Sequence, residues 1–245
     1  MKNNLPFINV YGKKSLKTKI VTQLLYGDSF QNIKKGKSWI KIKNKIDGYK
    51  GYIKNKNFSK DSFNTHKVFK ISANLYSKPN IKNKIKKKLS FGSRIKVLEK
   101  KSHFYKFDNL WIKKKDLKND NYQSNDIFKN IKKFINIKYK WGGKYYKGID
   151  CSALVQLPLN FNNKYCPRDT KDQIKFFKKK INIKNIKKND LIFWKGHVAI
   201  AISHKKLIHA YGPLKKTIIM PIDKTINIIF KTASLKVMGI RRINY

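Results

Sequence analysis

The hydrophobic rhythm of the chain changes near its middle. Up to about residue 118, apolar and polar residues alternate in short runs. Residues 18–33, "TKIVTQLLYGDSFQNI", and 38–53, "SWIKIKNKIDGYKGYI", show the pattern first, and residues 66–80, 90–107 and 109–117 repeat it. A period of two sends successive side chains to opposite faces of a strand. Gly27-Asp28, Asp47-Gly48 and Gly92-Ser93 interrupt the runs with turn chemistry. An apolar strand, a "YGDSF" or "FGSRI" turn, a hairpin and a closing "GYI" or "LWI" strand occur twice. Two small all-β barrels are therefore expected, at 16–62 and 63–118, behind an N-terminal segment 1–15.

From residue 122 the rhythm is mixed. Ile127, Phe128, Ile131, Phe134 and Ile135 follow helical spacing and predict a helix in "SNDIFKNIKKFINIKYKW". A second helix is expected to start at Cys151. A third is expected in "DTKDQIKFFKKK", with Thr170 and Gln173 as a capping box. Strand-like runs follow: "DLIFW", "HVAIAIS", "KLIHAYG", "KTIIMPI" and "LKVMGIRRI". Helices followed by a series of strands predict an α+β domain with an antiparallel sheet over 122–245.

Composition adds one question. The formal net charge is +46, from 59 basic and 13 acidic residues, which raises nucleic acid as a partner. The basic residues are almost all lysine: Arg94, Arg168, Arg241 and Arg242 are the four arginines, and Glu99 is the one glutamate. Lysine, asparagine and isoleucine share AT-rich codons, and the lysines are spread along the chain. A nucleic-acid reader is expected to use arginine forks instead. Codon bias explains the charge without a ligand, and lysine runs such as "KFFKKK" read as solvated faces. The N-terminus has no apolar run of signal-peptide length and no stretch approaches a membrane span, so the expectation is a cytoplasmic protein without a membrane span, monomeric and not bound to nucleic acid.

Two cysteines, Cys151 and Cys166, form no CxxC pair and no zinc-ligand set. Cys151 lies in "GIDCSALVQ", where Asp150 is placed as an N-cap and puts the thiol in the first turn of a helix. Unpaired N–H groups there stabilise a thiolate, so a lowered thiol pKa is expected. Taken alone, a cysteine ahead of an apolar run is more often a buried hydrophobe. Downstream, His197 opens "HVAIAIS" and His209 lies in "LIHAYG". Adjacent antiparallel strands bring two such histidines side by side. A cysteine at a helix start facing a histidine, with a third group orienting that histidine, is a nucleophile–base arrangement.

Taken in order, "YKWGG", "GIDCSALVQ", "PRDTKDQ", "KKNDLIFWKGHVAIAIS" and "LIHAYG" resemble the NlpC-type family of bacterial cell-wall cysteine peptidases. The likeness runs from about Tyr139 to Gly212. The barrels resemble bacterial SH3-like domains, and the whole order resembles the γ-D-glutamyl-L-diamino-acid endopeptidase subgroup. The resemblance implies a papain-like domain that cuts the γ-D-glutamyl bond to a diamino acid in peptidoglycan stem peptides, with neither metal nor organic cofactor. It makes Cys151 the nucleophile, His197 the base and His209 the orienting member. It sets the Tyr139 hydroxyl near the nucleophile, Asp150 and Ser152 at the substrate's N-terminal residue, and Arg168, Asp169 and Thr170 beside the cleft. Ala153 and Ala199 stand where that family usually has glycine. Pro158 is expected to kink or end the nucleophile helix.

The subgroup implies a substrate with a free N-terminal L-Ala, hence free muropeptides and cell-wall recycling. Its ammonium group needs a carboxylate, for which Asp150 and Asp28 are candidates, with Tyr49 as a hydroxyl partner; turn formation alone also accounts for Asp28 and Tyr49. The rivals are an exported hydrolase of intact wall, a wall-binding module without activity, and a polyanion binder. Trp141, Phe193 and Trp194 are expected to be packing residues, Cys166 a buried thiol, and His66, His103 and His204 surface or core residues without a catalytic role.

Overall fold

The alternating first half becomes strands, and the mixed second half becomes helices on a sheet. The structure is a computed structural model that describes residues 1–244. It divides into two compact units, Met1–Gln123 with Lys144–Tyr146, and Ser124–Gly143 with Lys147–Tyr245.

The first unit is built of strands, with short 3₁₀ turns at Ile81–Asn83 and Lys114–Asp116. Its first sheet holds Phe7–Tyr11, Ile20–Leu25, Phe30–Lys35, Trp39–Asn44 and Lys50–Lys54. Phe7–Tyr11 pairs with Ile20–Leu25 and touches the sheet again at Tyr52, so part of the N-terminal segment supplies a strand of this sheet. Val10, Leu24, Phe30, Ile40, Ile42 and Ile53 form the core beneath it. A second five-stranded sheet and a three-stranded one enclose another core, with Val68, Ala73, Leu75, Ile95, Phe107 and Ile112. One of its strands, Lys84–Ser90, has the sequence "KIKKKLS" and shows little alternation. It lies at a sheet edge, where lysines discourage pairing with another chain. Between the cores runs the Gly27-Asp28 turn. Gly27 has φ +85°, and a Cβ there would stand 2.0 Å from the Arg94 carbonyl oxygen, so both conformation and space demand glycine.

The second unit is built on a six-stranded antiparallel sheet. The spatial order of its strands is Lys179–Ile181, Gly239–Arg242, Asp190–Trp194, His197–Ala201, Lys206–Tyr211 and Lys216–Pro221. Three helices accompany it: α1 (Cys151–Phe161), α2 (Thr170–Phe176) and α3 (Ile222–Ala233). α1 packs on the strands His197–Ala201 and Lys206–Tyr211. Ile222 and Ile229 of α3 join Ile192, Trp194, Ala199, Ala201, Leu207 and Met220 in one core.

Several local expectations change. The segment around Ile127–Ile135 buries Phe128, Ile131 and Phe134 as its spacing requires, yet it holds a 3₁₀ turn, Ile131–Phe134, in place of an α-helix. Its backbone bonds run to the third preceding residue, as in Ile131 to Phe128 and Ile135 to Lys132, and Asn136 at φ 64° ends it. α1 continues past Pro158 to Phe161, so the proline does not end it. The N-cap of α2 is Asp169, with Thr170 already helical, and Gln173 bonds elsewhere, so there is no Thr170–Gln173 capping box. α3 had no counterpart among the expected elements.

Candidate active site

The start of α1 holds the candidate nucleophile inside a buried polar network. Asp150 is the N-cap, and its Oδ1 accepts the Ala153 N–H at 2.8 Å. Cys151 therefore occupies the first helical position, where N–H groups have no intrahelical carbonyl. The Asp150 carboxylate is held from two further sides. Arg168 donates to it through both terminal nitrogens, at 3.0 and 2.6 Å, and the Gly142 N–H donates at 2.9 Å. Arg168 also donates to Ser152 Oγ at 2.7 Å, and Ser152 Oγ donates to Asp150 at 3.1 Å. The Arg168 and Asp150 side chains are 1% and 9% exposed. The guanidinium thus faces internal partners, and the network fixes the "YKWGG" turn and the nucleophile helix to each other.

Gln173 adds a second fastening. Its side-chain amide donates to the carbonyls of Ser152 and Pro167 at 3.0 and 2.9 Å, which ties α2 to the first turn of α1. Cys166 is fully buried next to it. Asp169 stands at the N-cap of α2, and its side chain makes no capping bond.

The histidines come from two neighbouring strands. A two-residue turn, Lys195–Gly196, joins Asp190–Trp194 to His197–Ala201, with Trp194 opposite His197. Gly196 has φ +74°. Cys151 Sγ lies 4.0 Å from the Gly196 carbonyl oxygen, and the Val198 N–H also points at the sulfur, so the thiol sits against the residues that flank His197. His197 Nε2 is 2.9 Å from His209 Nδ1. The His209 ring is fully buried, stacks on Tyr211 at 4.5 Å and 12°, and has Met220 Sδ 3.4 Å from its Nε2. With Nε2 of His197 turned to His209, Nδ1 is the nitrogen left for a thiol.

Electrostatics differ from the expectation at the helix start. Burial, and then the Asp150 carboxylate, push the Cys151 thiol up to about 12. Arg168 and the Val198 and Ser152 N–H groups act the other way and are outweighed. The expected lowering is thus reversed, because desolvation of a buried thiolate exceeds what one helix terminus returns. Burial lowers His197 to about 4, and burial together with His197 lowers His209 to about 3. All three shifts favour the uncharged forms, a neutral thiol and neutral imidazoles.

Tyr139 is half-buried, and its ring lies against Gly212, about 3.5 Å from where a Cβ would stand. Burial, Cys151 and Asp150 all raise its hydroxyl pKa, so it remains a donor beside the thiol. Phe193 and Trp194 are core residues at 1% exposure, whereas Trp141 is 60% exposed and does not pack as expected. Asp28 and Tyr49 belong to the other unit. The Asp28 carboxylate accepts the Leu25 N–H at 2.8 Å within its own turn, and burial raises its pKa. The Tyr49 N–H donates to Asp47, again within a turn. His66 is half-buried, and His103 and His204 are exposed. Among the described residues no group of three or more His, Cys, Asp or Glu side chains is arranged to hold a metal, and no helix is long and apolar enough to cross a membrane. Met220, Tyr211 and Gln173 escaped the sequence reading as parts of this site. The signal for Met220 was its place on the strand after His209, which a motif of catalytic residue types does not mark.

Residues 136–229 match the NlpC/P60 family. A dipeptidyl-peptidase 6 of Lysinibacillus sphaericus is 38% identical over 77 residues, covering 31% of this chain and 28% of that protein. A probable endopeptidase NlpC homolog of Haemophilus influenzae is 34% identical over 82 residues, covering 31% of this chain and 43% of that one. The chain thus matches less than half the length of either curated relative. A crystal structure of an NlpC/P60 family protein from Bacillus cereus superposes with a TM-score of 0.82 at 20% identity, over 98% of both chains. That likeness extends the shared fold to the all-β first half.

Proposed function

We propose that the protein is a cysteine peptidase that cuts the γ-D-glutamyl–diamino-acid bond of peptidoglycan stem peptides, acting on free peptides with an N-terminal L-Ala; the match of residues 136–229 to the NlpC/P60 family supports this reading. The observation that carries this reading is the Cys151 thiol held against the turn that presents His197, with His197 bonded in turn to His209. A name of dipeptidyl-peptidase for one relative supports release of a dipeptide from a free N-terminus.

In the proposed reaction the thiol proton moves to His197 Nδ1 as Sγ bonds to the γ-carbonyl carbon. Transfer accompanies attack, because the thiol does not ionise beforehand at neutral pH. In this reading the Cys151 N–H and the Tyr139 hydroxyl donate to the oxyanion. Protonated His197 then gives its proton to the leaving amine and the C–N bond breaks. Water attacks the thioester with His197 as base, which releases the acid and restores the thiol. Asp150, Ser152 and Arg168 act by holding the helix start. Trp141, exposed on the turn fixed to Asp150, is proposed to contact substrate.

The test is mass spectrometry of products from free L-Ala-γ-D-Glu-diamino-acid peptides and from intact sacculi, side by side. Release of L-Ala-γ-D-Glu from the free peptide, abolished in Cys151→Ala, is the expected result. Loss of a nucleophile costs about 10⁴-fold or more in rate. Efficient solubilisation of sacculi favours a wall hydrolase instead, and wild-type turnover in Cys151→Ala refutes the mechanism.

A further inference from the structure

The protonation pattern of the two histidines follows from one atom outside the triad. A thioether sulfur carries no hydrogen and can only accept. Met220 Sδ lies 3.4 Å from His209 Nε2, so that nitrogen is the one that carries the ring proton. A neutral imidazole has a single N–H, which leaves His209 Nδ1 with a lone pair. The 2.9 Å contact between His209 Nδ1 and His197 Nε2 is then a hydrogen bond donated by His197. His197 in turn keeps its lone pair at Nδ1, the nitrogen free to take the thiol proton. The alternative His209 tautomer reverses every step: Nδ1–H donates to His197 Nε2, His197 carries its proton at Nδ1, and no base faces Cys151.

We propose that Met220 is a positioning residue that selects the Nε2–H tautomer of His209 and, through it, the basic Nδ1 of His197. The surroundings leave the sulfur in charge of this choice. His209 is fully buried, so water does not satisfy its Nε2–H, and Tyr211 covers a face of the ring. Met220 is 9% exposed and lies on Lys216–Pro221, the strand paired with Lys206–Tyr211. Leu207 stands opposite Met220 and Ile218 opposite His209, so histidine and methionine form a diagonal cross-strand pair on one face. A buried donor without an acceptor is costly, whereas a weak sulfur acceptor suffices to separate two tautomers that are otherwise close in energy. The catalytic part of this inference rests on the peptidase reading; the tautomer itself does not.

The experiment is ¹⁵N NMR of the histidine rings in the full chain, joined to peptide kinetics, for wild type, Met220→Leu and Met220→Gln. Wild type is expected to show His209 protonated at Nε2 and His197 at Nε2. Met220→Leu keeps the bulk but not the acceptor, and is expected to mix the His209 tautomers and lower kcat by about three- to tenfold with KM unchanged, the equivalent of one modest hydrogen bond. Met220→Gln, with a carbonyl oxygen to accept, is expected to restore the tautomer and much of kcat. His209 protonated at Nδ1 in the wild type overturns the proposal, and so does a Met220→Leu protein with an unmixed Nε2–H tautomer. If Met220→Leu does not fold, the wild-type spectrum still decides. The expected tautomers in a wild type that cleaves no stem peptide would sink the peptidase reading and leave the assignment of Met220 standing.

Discussion

Cys151 and Asp150 show how neighbouring residues set a nucleophile's chemistry in opposite directions. The carboxylate caps the helix that carries the thiol, and its charge then opposes ionisation of that thiol. A thiol raised to about 12 is protonated throughout the physiological range, and its thiolate fraction climbs with every unit of pH below that value. Alkylation of Cys151 by iodoacetamide is therefore expected to accelerate about tenfold per pH unit between pH 6 and 9, without a plateau. Cys166, fully buried, is expected to react later. A rate flat from acid to neutral pH would reveal a preformed thiolate–imidazolium pair and contradict the neutral resting site. Asp150→Asn removes the charge and keeps a capping oxygen. Its alkylation at pH 8 is expected to be faster than wild type, while its stability falls by about 3–5 kcal/mol because Arg168 is left buried without its carboxylate.

Among the elements, α3 carries the clearest energetic prediction. Ile222 and Ile229 are buried in the core with Trp194, Leu207 and Met220, whereas Phe230 is 50% exposed. Ile229→Ala is expected to cost about 2–5 kcal/mol in urea denaturation, the range for a buried large-to-small change. Phe230→Ala is expected to stay within about 0.5 kcal/mol. Equal effects would misplace the buried face. The same helix marks a limit of the sequence reading. Its apolar stripe at Ile222, Ile226 and Ile229 follows a strand with no turn other than Pro221, so the helical period was hidden behind an apolar run that reads as β. The segment with Ile131 and Phe134 failed differently: its period named the buried residues, but hydrogen bonds to the third and to the fourth residue share nearly one period. What was legible was the thiol at a helix start, both histidine strands and the turns, because each depends on local residue types. Partners such as Gln173 and Met220 depend on which surfaces meet, and no local pattern encodes that.

For the molecule as a whole, charge is the dominant feature. Among the described residues, Asp61, Asp116, Glu99, Asp120, Asp126, Asp150 and Asp190 form ion pairs. With 59 basic residues to 13 acidic ones, most of the positive charge has no carboxylate to offset it. Compact structure concentrates that repulsion. Tm is expected to rise when salt goes from about 20 to about 200 mM, as the screening length falls from about 20 to about 7 Å. A Tm that falls with salt would show that attractive pairs outweigh the repulsion.

The tight Lys195–Gly196 turn also has a consequence for the order in which the site comes together during folding. His197 and His209 are 12 residues apart and meet within consecutive strands, whereas the contact of Cys151 with Gly196 spans 45 residues. Short loops close sooner than long ones, since less chain entropy is lost before the contact forms. The histidine pair is therefore assembled in the hairpin first, and the nucleophile helix docks onto a base that already exists. In a refolding experiment, return of the histidine ring signals precedes return of thiol protection, and a newly made chain passes through a state with its base in place and its thiol still open to solvent.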